Sequence, residues 1–590
     1  MDNEALKVSS KKKIIRLDMT DLKITEQKVP EKYREMGGRW LTSSIVYDEV
    51  DPLCHPLGPN NKIVFAPGIV TGTSAPSSGR LSVGGKSPLT GGIKEANAGT
   101  QFSQKMARLG IHALVIEGQP KEKGKFWLLK LDKDGAELHS ADEWAGKGLH
   151  EVYPSILAKY GEDVGLEAIG VAGEMLMAGA GVCFNDIDNR PSRYAGRGGL
   201  GAVLGSKGLK FIVVDDEGAP AVEIPDRDLF NKGTRKLIDA LMSHDVTKPE
   251  GGLNKYGTAI LIDVMNEAGG LPTRNFSDGR FEGAAATSGE TIRETIEERG
   301  GAGTTGHACH PGCIIKCSNV WARPDGSEHV SCIEYESDWA FGANCGIDDL
   351  DAIAELIWLC NDYGLDTIEA GGTIAVAMEA GLAEFGDAEK ALELMKEIGS
   401  GTPLGRVLGN GAATTGSVYG VVRVPGVKGQ NMPAYSPRAV KGIGVTYATS
   451  PMGADHTAGY TISPEILGVG GDVEALDADK AELARSFQET TGFIDATGYC
   501  LFITFGILDN DEGMEGTVES CNAILGTKWT TDDIGRIGSE VLKLELDFNA
   551  KAGFTKAHDR LPEFMSYEKL PPHNNVFDVP DEDLDRVHPQ

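Results

Sequence analysis

Three cysteines within nine residues, Cys309-His310-Pro311-Gly312-Cys313-Ile314-Ile315-Lys316-Cys317, constrain this chain more than any other stretch. Thiols at four-residue steps converge on one point when the loop folds back, and Pro311-Gly312 supplies the turn. Structural zinc favours paired knuckles, and no second knuckle follows. An iron–sulfur cluster is therefore the leading reading, ahead of zinc and of plain buried thiols. A fourth ligand has to come from elsewhere. Cys500 is the first candidate, with Cys332 and Cys345 behind it, while Cys54, Cys183, Cys360 and Cys521 stand apart and read as core thiols.

Composition narrows the setting. The net charge of −30 repels a phosphate backbone and argues against nucleic acid. The one basic run, Lys11 to Lys13, is too short to hold an anionic lipid surface, and its plain reading is a solvated turn before the first strand. No stretch approaches the ~18 apolar residues of a membrane span, and no secretory signal is visible. The expected location is the cytoplasm, where disulfides are rare, so the clustered cysteines read as ligands.

The first ~210 residues are strand-prone, with runs at Ile14–Asp18, Lys62–Phe65, Ala113–Ile116, Lys125–Leu131 and Phe211–Val214. The acidic segment from Asp215 to Pro225 reads as a linker. Helical patterns follow at Asp348–Cys360, Ile368–Glu384, Ala388–Ile398 and Lys480–Thr491. A Gly- and Pro-rich stretch near 400–435 is the next boundary candidate, and the residues from Pro571 onward read as an extended tail. The fold class is α+β, with a β-rich domain at 1–215 and largely helical domains at 216–420 and 421–590. No repeat of 20–50 residues is evident. A small echo exists, however: Asn361-Asp-Tyr-Gly364-Leu-Asp366 and Asp495-Ala-Thr-Gly498-Tyr-Cys500 each close a helix with Gly suited to a left-handed cap.

Two glycine-rich stretches carry arginines. One runs from Ser78 through Arg80 to Gly92 and is followed by Asn97; the other runs from Arg193 through Ala195, Gly196 and Arg197 to Lys207. Glycines let backbone N–H groups face an anion, arginines bind phosphate with a forked pair of donors, and an Asn oxygen suits Mg²⁺. The second stretch mimics a dinucleotide fingerprint, but no acidic residue follows in the required context.

Together these features resemble the aldehyde:ferredoxin oxidoreductase family of tungsten–bispterin enzymes. The likeness runs from Gly37-Gly38-Arg39 to at least Cys500. Its marks are Ser87-Pro-Leu-Thr-Gly91, Ala195 to Val203, the cysteine triplet, Glu334-Tyr-Glu336, the two capped segments and Gly453-Ala-Asp-His456-Thr457. The resemblance implies a β-rich saddle under a tungsten (less readily molybdenum) bis-pyranopterin, covered by two helical domains that meet at the cofactor. It implies that Asp366, Asp495 and Tyr499 contact the pterins, and that Arg80, Arg193 and Arg197 meet their phosphates. A bridging Mg²⁺ would lie at Asn97 and a carbonyl near Ala195 and Gly196. One [4Fe-4S] cluster would be held by Cys309, Cys313, Cys317 and Cys500.

The implied reaction is oxidation of a small-molecule aldehyde to a carboxylate with water, with electrons leaving to ferredoxin or a dedicated iron–sulfur subunit. A homodimer or hetero-oligomer is expected. Acid–base work falls to Glu336 and His456. Glu334 shares a face with Glu336 if the segment is a strand. Glu355, inside an apolar helix, needs a partner, either an iron between subunits or a buried ion pair. Two departures stand out: the family's commoner cluster spacing is Cys-x2-Cys-x3-Cys, and Asn361 replaces a frequent acid. Rival readings are a catalytic subunit that reduces carboxylic acids or aromatic thioesters, and a zinc-stabilised scaffold.

Overall fold

The computed structural model describes residues 12–470 and 479–588. Lys11 lies outside the described residues, while Lys13 opens the first strand and pairs with Glu26. The first ~215 residues form two six-stranded sheets. One contains β1 (Lys13–Asp18), β2 (Lys23–Lys28), β3 (Ile63–Pro67), β4 (Arg80–Lys86), β5 (Ile93–Gly99) and β6 (Ile111–Glu117), in the order β2-β1-β6-β3-β4-β5. The other contains β7 (Trp127–Asp132), β8 (Gly135–Ser140), β9 (Gly165–Ala168), β10 (Val182–Asn185), β11 (Pro191–Ala195) and β12 (Leu209–Val214), in the order β11-β10-β9-β12-β7-β8.

Read from its far edge, the second order repeats the first strand for strand. In each sheet the first and sixth strands pair in parallel and every other pair is antiparallel. Each half also carries a helix after its hairpin, Gly38–Glu49 or Leu149–Tyr160, and another before its last strand, Gln101–Arg108 or Leu200–Ser206. The N-terminal region is thus an internal duplication with a period far longer than 50 residues. Side chains such as Phe65, Phe102, Phe184 and Phe211 from both halves fill one core between them.

Every strand expected from sequence is present. The segment 215–226 has no helix or strand, and its Asp216 is anchored by Lys105 and Arg108. The remainder is mainly helical, with a three-stranded sheet, Thr304–His307, Ser318–Ala322 and Glu328–Val330, beside the cysteine loop. Leu350–Tyr363, Thr367–Glu379, Ala388–Ser400 and Lys480–Thr497 are helices, the last running six residues beyond its expected end. The Gly- and Pro-rich stretch forms helices Pro403–Leu408 and Ala412–Tyr419 and a short hairpin, and one core draws on both sides of residue 420. The tail differs from expectation. Asp581–Arg586 is a helix whose Leu584 and Val587 are buried, and Arg586 clamps Asp479 at the start of another helix. Among the described residues, no single helix is long and apolar enough to cross a membrane.

Candidate active site

The two capped helix ends dock on equivalent points of the duplicated saddle. The carbonyl of Gly498 accepts from the N–H of Arg80, where β4 begins, and the carbonyl of Gly364 accepts from Gly181, just before β10. Two residues later, Cys500 N–H donates to Ser77 and Asp366 N–H donates to Gly179. Both glycines are left-handed, with φ of +89° and +76°. A Cβ on Gly498 would strike Thr71 and Gly68, and one on Gly364 would strike Gly170, so only glycine allows this backbone approach. The echo in the sequence is the helical counterpart of the duplicated sheets.

These contacts bring Cys500 to the cysteine loop. The thiols of Cys309 and Cys313 are in hydrogen-bond contact, and Cys313, Cys317 and Cys500 lie close enough to perturb one another electrostatically. The extra residue of the loop is absorbed by Gly312 at φ +85°, while His310 folds inward until its ring covers Gly79. The shared contact with Cys309 draws the Cys313 thiol down to about 7; burial pushes Cys317 up. Cys332 does not join the four; its thiol meets Arg193. Cys345 bonds helix carbonyls instead.

Beside the thiols lies a chamber of about 470 Å³, within the usual range for cofactor sites. Cys309, Cys317 and Cys500 border it, as do Arg80, Asn97, Arg193, Gly196, Arg197, Asp366, Asp495, Glu334, Glu336 and His456. Arg80 donates to the Cys500 thiol at 3.1 Å and lies 3.5 Å from the Asn97 oxygen. Arg193 donates to Ser318 at 2.9 Å. Each of these two arginines keeps a buried Nε–H without a protein acceptor. Buried cationic donors left open in this way suit an anionic group, and thiols gathered at one place suit a metal–sulfur cluster.

Three expected positions differ. Arg197 gives its N–H groups to Asp366 at 3.3 Å and to the carbonyls of Ala454 and Asn431, both at 2.6 Å, so its guanidinium is spoken for by protein. Tyr499 does not border the chamber; its ring is buried in the core toward Cys521. Ala195 pairs with Val182 at the end of β11, and the chamber is reached by its neighbour Gly196.

Glu334 and Glu336 do not lie on a strand. Glu334 precedes the helix Tyr335–Phe341 and Glu336 sits in its first turn, because Asp338 N–H closes a helical bond to the Glu334 carbonyl. Their side chains therefore diverge. Glu334 accepts from Thr258 at 2.7 Å and faces Arg193 at 3.7 Å. Glu336 accepts from Ala434 N–H at 3.0 Å, and its other oxygen lies 3.4 Å from His456 Nε2. Burial pushes the Glu336 carboxyl up to about 8 and the His456 imidazole down to about 4. Next to them, Lys94 donates to Asp455 at 2.9 Å, and this cation holds Asp455 well below the usual carboxylate range despite burial.

Sequence reasoning gave no role to Arg39 or Glu95. Arg39 forms a forked pair with Glu545, at 2.9 and 2.7 Å, and reaches Asp495 at 3.3 Å. Glu95 lies two residues before Asn97 on β5 and so on the same face of the strand, which is the signal that could have found it. Burial raises the Glu95 carboxyl to about 8 and Asp495 to about 6. Glu355 finds its partner within the chain, His329 at 2.8 Å, and Asn361 is tied to Tyr194 and Ser331.

A duplicated saddle capped by helices, with a thiol quartet at the edge of an arginine-lined chamber, is the architecture of a redox enzyme built round a buried cofactor. Family models for the N-terminal domain and for domains 2 and 3 of aldehyde ferredoxin oxidoreductase match residues 14–216 and 232–589. The tungsten-containing aldehyde ferredoxin oxidoreductase of Pyrococcus abyssi is 37% identical, over 95% of this chain and 92% of its own length. Its Thermococcus kodakarensis counterpart is 38% identical, over 93% and 91%. The chain belongs to the aldehyde ferredoxin oxidoreductase family and is an oxidoreductase of that type. The active-site complex BamBC of benzoyl coenzyme A reductase shares the fold, with a TM-score of 0.78 at 17% identity over 98% of this chain and 93% of that one.

Proposed function

We propose that this protein oxidises aldehydes to carboxylic acids, with a tungsten–bispterin in the chamber and a [4Fe-4S] cluster on Cys309, Cys313, Cys317 and Cys500. The observation that carries this reading is the juxtaposition, round one chamber, of the thiols of Cys309, Cys317 and Cys500 and the Glu336–His456 pair. A bispterin metal held in the chamber would supply two-electron acceptance, and a cluster on the four thiols would supply one-electron transfer. Every other part of the chemistry falls to the chain's own residues.

Asp366 and Asp495 offer carboxylates at the two capped ends, placed to accept paired N–H groups from a heterocycle edge. The open Nε–H groups of Arg80 and Arg193 would meet phosphate, and Asn97 would offer its oxygen to Mg²⁺. Arg80 also reaches from the chamber wall to the Cys500 thiol. At neutral pH the pair of Glu336 and His456 holds one proton, on the carboxyl. That inventory reverses the expected roles: His456 accepts a proton from the attacking water, and Glu336 donates to the substrate oxygen as charge builds there.

The acceptor is ferredoxin or a dedicated iron–sulfur subunit, the site of action the cytoplasm, and the assembly a homodimer or hetero-oligomer. Anaerobic purification tests the reading. Iron, tungsten and aldehyde-dependent viologen reduction are expected together, and Cys500→Ser should lose iron and electron transfer to viologen while leaving the chain folded. Zinc as the sole metal would overturn it.

A further inference from the structure

We infer that a second, small cavity, between Lys12 and His112, is a binding site for one monovalent anion of halide size. The cavity measures about 20 Å³, room for a single water- or halide-sized particle, and it shares no residue with the chamber. Two basic side chains reach it. No Asp or Glu among the described residues borders it, although the sequence holds 87 acidic residues against 57 Lys and Arg. The Lys12 ammonium has no hydrogen bond or ion pair among the described residues. His112 donates Nε2–H to the Tyr33 carbonyl at 2.9 Å, so Nδ1 is the ring nitrogen left over. Burial pushes the Lys12 ammonium down to about 8; burial, and then the Lys12 charge, push the His112 imidazole down to about 3. Adjacent bases without a counter-charge leave a local deficit. An anion fills it and takes up ammonium donors that nothing else uses.

The duplicated half shows what is missing. In each sheet the parallel pair is interrupted by one extra residue. Ile111 and Ala113 face Lys13 and Ile14, which leaves His112 over; Leu209 and Phe211 face Trp127 and Leu128, which leaves Lys210 over. His112 and Lys210 are therefore equivalent. Lys210 finds its counter-charge within the chain: its Nζ donates to the Ile169 carbonyl at 2.8 Å and pairs with the largely buried carboxylate of Glu174. Phe65 faces Leu114 as Glu167 faces Ile212, and counting on from each places Gly72 where Glu174 stands. Gly72 brings no carboxylate, and a Cβ there would meet Ala107 and Val222, two residues of the cavity wall. Lys12 adds a base where the other half has Phe126. The first half thus has one base more and one acid fewer, and a free anion takes the place of the Glu174 carboxylate.

The position gives the anion a structural consequence. Gly68, Ile69 and Thr71 line the cavity on one side, and this is the turn that receives a helix cap: Ile69 N–H donates to the Ala496 carbonyl at 3.2 Å, and Gly68 packs against Gly498. An anion held between β1, β6 and this turn binds the native chain alone and stabilises it by mass action.

The test uses the purified holoenzyme in bromide, chloride or gluconate at one ionic strength, gluconate being far too large for the cavity. Crystals soaked in bromide should show an anomalous-scattering peak between Lys12 Nζ and His112 Nδ1. In calorimetry at one scan rate, exchanging gluconate for chloride should raise the melting temperature saturably, by about 2 °C or more. Lys12→Met should lose that difference whatever its own melting temperature, and Lys12→Arg should keep it. If Lys12→Met does not fold, the bromide peak in the parent crystals decides alone. Only water in the cavity of bromide-soaked crystals, no chloride–gluconate difference in the parent protein, or a difference that persists in Lys12→Met would overturn the site.

Discussion

The Glu336 carboxyl and the His456 imidazole are both buried, and burial disfavours the charged form of each. With Glu336 raised to about 8, the proton-donating form is present below that value. The rate of aldehyde oxidation should therefore fall as pH passes about 8, and Glu336→Gln should abolish that limb while lowering kcat about 10²- to 10⁴-fold, as pH–rate profiles will show. The same shift has a stability sign. A carboxyl raised from 4.5 to about 8 stabilises the fold fully below 4.5 and progressively less as pH climbs to 8. Glu336→Gln should thus be the more stable protein at pH 7, by on the order of 3 kcal/mol, and should match the parent near pH 4 in denaturant titrations. Both residues were legible in the sequence. Their pairing was not, because His456 lies 120 residues beyond Glu336 and the sequence left the segment around Glu336 without a helix, which the bond from Asp338 to Glu334 makes it.

The capped helix ends are the elements that join saddle to lid. Replacing Gly498 by Ala puts a Cβ against Thr71 and Gly68 at a φ of +89° and costs at least the 1–2 kcal/mol typical of a left-handed residue, roughly, before any clash. Because Cys500 follows two residues later, Gly498→Ala should lower bound iron per chain, whereas Gly364→Ala should spare iron and disturb only the Asp366 side. Metal analysis of the two purified variants separates these outcomes. The caps could be seen in the sequence because Gly at a helix end is a local signal. The duplicated sheets beneath them could not. Strand order is a non-local property, and β5 and β11 share neither residues nor spacing that would betray their equivalence.

At the scale of the molecule, the tail is part of the core. Its polar composition suggested an extended strand of chain, yet two apolar residues, Leu584 and Val587, decide the matter by being buried, and Arg586 ties down Asp479 through two bonds. Ending the chain before Pro580 should lower the melting temperature by several degrees, consistent with roughly 3 kcal/mol of lost burial, a shift that calorimetry will measure.

Arg39 and Glu545, which grip each other beside the chamber, are 506 positions apart. During synthesis the saddle is finished while most of its vault is still unwritten. Whatever non-protein component resides there has to enter before the helix that carries Glu545 closes on the saddle.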